Sequence, residues 1–453
     1  MEQATQVDKF IERLAPSAEA STTIPAQKYD LYDAKRGLRN QDGTGVLVGL
    51  TEIGEVHGYY VDDREKKPDE GRLLYRGYNL KDIVDGFQAD KRFGFEEVCY
   101  LLLFGNLPTA DALAEFRTVL AECRKLPPRF VEDVMLRFPS TDIMNKLART
   151  TLVSYSFDEK AEDLSFINVL RQSVELVSRF PIFAAYGYQA KQHYHAGESL
   201  IIHASDPELS AAENLLQMIR PDRRYTELEA EVLDLCLVLH AEHGGGNNSA
   251  FAVHVVSSAA TDTYSAIATA VGSLKGAKHG GANSKVMGMM ETVKNSISNW
   301  EDEIEVADFL RKIIRGEAHD RSGLIYGMGH AVYTLSDPRA VIIKDKAEEL
   351  ATEKEYITEF NLYKLIEKLT PQVFSEHKGR EMDIAPNVDF YSGFVYKMLN
   401  IPMDLYTPIF AVARIPGWCA HRLEEIVSGG KIIRPAYKSI AGRNRYTPMT
   451  ART

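Results

Sequence analysis

TELEAEVLDLCLVLHAEHGGGNNSA, running from Thr226 to Ala250, is the stretch on which the fold reading turns. Thr226 followed by Glu229 is a capping box, in which a hydroxyl and a carboxylate satisfy the first free N–H groups of a helix. Leu228, Val232, Leu235 and Leu239 then recur at helical spacing and form one apolar face. That face runs into His240 and His243, after which the chain opens into Gly244, Gly245 and Gly246. A helix with a face to bury thus ends at a glycine-flanked histidine, where backbone can approach a ligand that the imidazole also touches. His240, still on the apolar helix, reads as structural, whereas His243 can face a ligand.

The same helical character extends outward. Val7, Phe10, Ile11 and Leu14 predict a short amphipathic helix, followed by a loose connector from Ala15 to Ala26. Gly45 to Tyr60 is rich in β-formers and glycine and predicts a small hairpin, the one strand region expected. The charged run Asp62 to Glu70 reads as a solvated loop. Phe95 to Leu107 is apolar all round, as in a buried helix. Asp337-Pro338-Arg339 is a helix start, with aspartate as cap and proline in the first turn, and the helix should reach about Glu353. Helical pattern resumes after Asp389, and Arg434 before Pro435 should be extended. The expected class is all-α, mainly helical, with a minor N-terminal β-hairpin at about 45–60.

The 453 residues suggest roughly two to four domains. A net charge of -11 argues against a nucleic-acid or anionic-membrane partner. Small anions remain admissible where arginines cluster. Cys99, Cys123, Cys236 and Cys419 form no CxxC pair and read as buried free thiols of a reducing compartment. The N-terminal segment resembles neither a signal peptide nor a mitochondrial presequence, and no apolar run reaches the roughly 18 residues of a membrane span. A cytoplasmic address is expected.

Three more segments carry chemistry: KGAKHGGANSKV (Lys275 to Val286), YGMGHAVYTLSDPRA (Tyr326 to Ala340) and PNVDFYSG (Pro386 to Gly393). With only 12 histidines in the chain, His243, His279 and His330 beside glycines stand out. Asp389 has two open readings, a helix N-cap or a general base. Imidazoles with one carboxylate and nearby arginines suit proton abstraction next to a carbonyl on an anionic substrate. Arg339, Arg414 and Arg434 are the candidate carboxylate clamps. HAEH with Glu242 resembles half a metal motif, but HExxH and cysteine ligands at zinc spacing are missing, so no metal is expected. GxxxxGK[ST] and GxGxxG are missing too, against nucleotide chemistry.

In their order, these motifs resemble the citrate synthase family. The late ARIPGW and RPAY segments and the earlier LLYRGYNLKDIV (Leu73 to Val84) and FEEVCYLLLFGNLPT (Phe95 to Thr109) extend the resemblance from about residue 70 to the C-terminus. Gly244 stands where some members have an acidic residue, and Ile415-Pro416 lies in a variable stretch. The resemblance implies a large helical domain (1–278 with 391–453) and a small one (279–390) that closes over the site. It implies condensation of acetyl-CoA with oxaloacetate, the first step of the tricarboxylic acid cycle, with acetyl-CoA as co-substrate and no permanently bound cofactor or metal. Asp389 would take the methyl proton, His279 would stabilise the enol and His330 would polarise the ketone. His243, Arg339 and Arg414 would hold oxaloacetate. Gly327, Met328 and Gly329 would approach CoA, and Arg434 would complete the neighbouring site of a homodimer. A 2-methylcitrate synthase using propionyl-CoA is the nearest alternative. A non-catalytic CoA sensor is a remote one, because Asp389 and His279 are both present.

Overall fold

The computed structural model describes residues 5–40, 43–62, 65–330, 332–428 and 430–452. Among these the chain forms seventeen α-helices and one three-stranded antiparallel sheet, as the all-α expectation requires. It divides into two compact units, Met1–Leu50 and Thr51–Thr453.

The first unit holds α1 (Gln6–Thr22) and α2 (Ala26–Leu31). Thr5 and Asp8 make a capping box at the start of α1. The expected connector after Leu14 is incorrect: α1 continues through Pro16 to Thr22. Alanine and glutamate between Ala15 and Ala20 favour helix strongly enough to outlast one proline.

The second unit opens with β1 (Gly54–Asp62), β2 (Glu65–Tyr75) and β3 (Tyr78–Asn79). The predicted hairpin exists but lies later than 45–60, and the supposed loop Asp62 to Glu70 is largely strand; Asp63 and Arg64 lie outside the described residues. A register shift between His57 and Tyr59 marks a bulge. Charge masked the second strand because, among its described side chains, those buried are Leu73 and Tyr75 at its end.

Helices fill the rest. α3 (Leu80–Ala89), α4 (Phe95–Phe104), α5 (Ala110–Cys123), α6 (Ile143–Ser154) and the long α7 (Phe166–Ala196) come first. α8 (Ala211–Ile219), α9 (Glu227–His240), α10 (Asn248–Ser257) and α11 (Thr263–Lys275) follow. α12 (Ala282–Ser296), α13 (Glu303–Ile314), α14 (Pro338–Glu353) and α15 (Ile357–Lys378) precede α16 (Val388–Met398) and α17 (Tyr406–Val427). The capping box of α9 forms as read, with the Thr226 hydroxyl accepting from Glu229 N. The Asp337 cap and Pro338 at the start of α14 are also as read, and α14 ends at Glu353. α17 packs against α4, α7, α9, α10 and α11 and is buried from Pro408 to Leu423. Through α9, α10 and α11 it touches the helices that flank the first two glycine-flanked histidine segments. Among the described residues, no helix is long and apolar enough to cross a membrane. All four cysteines are free thiols, and Cys99, Cys236 and Cys419 are buried.

Candidate active site

The end of α9 delivers the first histidines. His240 is buried, and its Nδ1 lies 2.8 Å from the carbonyl of Cys236 one turn back, which suits the structural reading. His243, just past the helix, is half-buried, and its Nε2 is enclosed without a hydrogen-bond partner. Burial, reinforced by the charges of Arg339 and Arg414, holds its pKa well below the ordinary histidine value. It is a neutral ring with one nitrogen free for a ligand.

His330 lies 5.2 Å from His243, ring centre to ring centre, and stacks on Tyr333 at 4.7 Å. Its Nδ1 accepts the backbone N–H groups of Val332 (3.1 Å) and Tyr333 (3.2 Å). Two donors on Nδ1 fix the tautomer, so the proton of the neutral ring sits on Nε2. Burial and the Arg339 charge push the pKa down to about 4. His330 is thus a neutral N–H donor at physiological pH.

His279 occupies the turn between α11 and α12. Its Nε2 lies 3.1 Å from Ser249 Oγ, which also accepts Trp418 Nε1–H at 3.0 Å. Burial and the Arg414 charge push its pKa down to about 4 as well. The Phe410 ring ties this corner to the rest: its centre is 6.4 Å from His279, and the Arg414 guanidinium lies 4.9 Å from the ring centre.

Asp389 is in the first turn of α16, but it is not the cap. That role belongs to Asn387, whose Oδ1 accepts Asp389 N at 3.0 Å. The N-cap reading of Asp389 is therefore wrong, and its carboxylate is released for other work. Burial pushes its pKa up to about 6, against the pull of Arg339 and Arg414. At neutral pH it is mostly ionised and more basic than a solvated aspartate.

Asn387 also fixes the neighbouring loop. Its N donates to Gly327 O at 2.9 Å and its Nδ2 to Gly329 O at 2.9 Å. Met328 bridges Pro386, and Gly329 N donates to Ala385 O. The peptides of Gly327, Met328 and Gly329 thus bind the His330 loop to the start of α16. Gly327 has φ +81°, and a Cβ there would stand 2.8 Å from Phe390 and Val286, so no other residue fits.

The two clamp arginines differ. Arg339 is paired on both sides with Asp337, at 3.0 Å (Nε) and 2.7 Å (Nη2). Asp337 also accepts Val388 N at 3.3 Å, which joins α14 to α16 beside Asp389. Arg414 donates Nε–H to His240 O at 2.6 Å, while Nη1 and Nη2 are buried without a partner among the described residues. Burial pushes its pKa down to about 10. A buried cation with two idle nitrogens is costly unless an anion completes it.

His243, His279, His330, Arg339, Arg414 and Asp389 thus share one neighbourhood, linked by ring contacts and mutual electrostatic fields. Arg434 does not join them: it is exposed and, among the described residues, has no bonding partner. Sequence reasoning missed Ser249, Trp418, Asn387 and the pairing role of Asp337. Ser249, Asp337 and Asn387 lie at helix starts inside or beside the quoted motifs, where their polar atoms were the available signal; Trp418 stands in the middle of α17 and had none. Tyr333, whose buried hydroxyl lacks a partner, was also passed over.

Comparison with known proteins gives a consistent picture. The family described as Citrate synthase, C-terminal domain, matches residues 41–436. The citrate synthase of Haloferax volcanii is 35% identical over 92% of this chain and 96% of its own. The 2-methylcitrate synthase of Shewanella oneidensis is 32% identical over 80% and 87%. Among solved structures, the citrate synthase of Thermoplasma acidophilum, in ternary complex with carboxymethyl coenzyme A and oxaloacetate, superposes with a TM-score of 0.74 at 26% identity, covering 92% of this chain and 99% of that one.

Proposed function

We propose that this chain, which belongs to the citrate synthase family, condenses acetyl-CoA with oxaloacetate and water to give citrate and CoA. Family membership makes it an acyltransferase-type enzyme of the tricarboxylic acid cycle. The observation that carries the substrate reading is Arg414: a buried guanidinium with two idle nitrogens, beside a basic carboxylate and three neutral imidazoles, suits a small dicarboxylate.

The reaction then follows from the states of the groups. The Asp389 carboxylate removes a proton from the acetyl methyl group. His279 hydrogen-bonds the thioester oxygen as negative charge develops there, a contribution of about 3 kcal/mol for one positioned donor. The enol carbon attacks the ketone carbon of oxaloacetate, and His330 gives its Nε2 proton to the ketone oxygen. Water then cleaves the thioester of the condensed product and releases CoA. Arg339, Arg414 and His243 hold oxaloacetate. Gly327, Met328 and Gly329 present backbone to CoA, and no step is assigned to a metal. The oxaloacetate complex of the Thermoplasma relative supports the assignment.

In this reading 279–390 closes on the remainder of the enzyme and shelters the enol from water. The enzyme is a cytoplasmic homodimer, and Arg434, idle in its own chain, completes the partner's site. A second reading, 2-methylcitrate synthesis from propionyl-CoA, has support from the Shewanella relative. One methylene is worth only about 1–3 kcal/mol of discrimination. Free-thiol release with each acyl-CoA, in the presence of oxaloacetate, decides between them. The first reading predicts a higher kcat/KM for acetyl-CoA; preference for propionyl-CoA favours the second, and no thiol release with either overturns both.

A further inference from the structure

Arg414, Trp418, His421 and Glu425 recur at four-, three- and four-residue steps along α17 and so form one stripe of the helix. Arg414, Trp418 and His421 are fully buried. Each reaches a different point of the segment from His240 to Ser249. Arg414 bonds the carbonyl of His240. Trp418 Nε1 donates to Ser249 Oγ, which contacts His279 Nε2. His421 Nε2 lies 3.0 Å from Glu242 Oε1, and the same carboxylate oxygen accepts Gly244 N, so it grips the turn on both sides of His243.

The far end of the stripe is anchored too. His421 Nδ1 lies 3.1 Å from His254 Nε2, and His254 Nδ1 lies 2.8 Å from Glu425 Oε2. Burial opposes charge on His421, but the Glu242 and Glu424 carboxylates outweigh it and push its pKa up to about 9. His421 then donates from both nitrogens, while His254, whose pKa burial lowers, stays neutral and donates to Glu425. Glu242 has no room to move: a Cβ at Gly417 would lie 2.4 Å from its Oε2. His254, His421 and Glu424 bring ligand atoms within 4.8 Å of one another, but the unbroken hydrogen-bond chain accounts for both imidazoles without an ion.

We infer that Trp418 and His421 are positioning residues that register two catalytic histidines against one helix: Trp418 aligns His279 through Ser249, and His421 aligns His243 through Glu242. This rests on the proposed condensation. The hydroxyl of Ser249 has one proton and two acceptors in reach, His279 Nε2 and Asn247 Oδ1 at 2.9 Å. Trp418 N–H occupies one lone pair of the Ser249 oxygen and so fixes where that oxygen sits against His279 Nε2. A Ser249 that donates to Nε2 leaves the His279 proton on Nδ1, free for the thioester.

The test uses the whole enzyme with acetyl-CoA or its methyl-deuterated form. Trp418→Phe keeps the ring and removes the N–H. It should lower kcat about tenfold, the worth of one lost hydrogen bond. The deuterium isotope effect on kcat should rise while oxaloacetate Kd and binding stoichiometry stay at wild-type values. His421→Gln should raise oxaloacetate Kd about tenfold with the isotope effect unchanged. A general structural role would instead reduce binding stoichiometry in step with kcat and leave the isotope effect alone. That outcome, or wild-type parameters in both variants, overturns the inference. Glu242→Gln provides a second route if His421→Gln fails to fold, with the same expected rise in Kd and the same overturning result. A wild-type enzyme that releases no CoA would sink the proposed function, a separate result from variants that match an active wild type.

Discussion

Arg339 and Arg414 meet in one site under opposite circumstances. Arg339 stands where a loop becomes a helix, with Asp337 as a fixed bidentate partner. Arg414 stands in the buried middle of α17, with Nη1 and Nη2 unpaired among the described residues. The loop region satisfies its own charges and so keeps its shape without ligand. The α17 region leaves two guanidinium nitrogens without a hydrogen-bond partner among the described residues, their charge only partly offset by Glu242 and Asp389, and so stands ready for an anion. In the proposed condensation this difference divides the labour: Arg414 supplies most of the pull on oxaloacetate, while Arg339 helps to hold it and links α14 to the helix that carries Asp389.

The largest expected effect falls where the two regions converge. Asp389→Asn should lose about 10²–10⁴ in kcat, the usual worth of a general base. It should unfold no earlier than wild type at neutral pH, because a carboxylate whose pKa is raised on folding opposes folding once ionised. Steady-state thiol release and thermal melts check both. The arginines should then separate cleanly. Arg414→Met should weaken oxaloacetate binding by on the order of 10²–10³, with thermal stability equal or higher because an unpaired buried charge is gone. Arg339→Met leaves Asp337 as a buried, uncompensated carboxylate and should lower stability by about 3–5 kcal/mol in denaturant titration. Equal stability losses in the two variants would erase the contrast. A smaller effect belongs to Gly327→Ala, whose left-handed backbone and crowded Cβ predict about 1–3 kcal/mol of destabilisation by the same titration.

The two regions also differ in how far the sequence reveals them. Helix ends have local causes, so Thr226-Glu229 and Asp337-Pro338 could be read directly. The glycine-flanked histidines could be read because glycine is chosen by local backbone geometry. β2 could not, since Lys67, Glu70 and Arg72 are exposed and its pairing with β1 is set by partners across the hairpin. Asp389 was ambiguous for a similar reason: Asn387 and Asp389 are both good caps by type, and only the fold shows which one turns inward. The supports of the site, Trp418 and His421, act through residues some 170 positions away, a relation that no local pattern encodes.

The central claim is that one ionised carboxylate does the proton abstraction while the histidines beside it stay neutral. The pH dependence of kcat, measured in wild type and in Asp389→Asn, tests it most directly. The base must be deprotonated to act, so the wild-type rate should fall as pH drops through about 6, and the residual rate of Asp389→Asn should lack that limb. The same limb surviving in Asp389→Asn would place the base elsewhere and contradict the account.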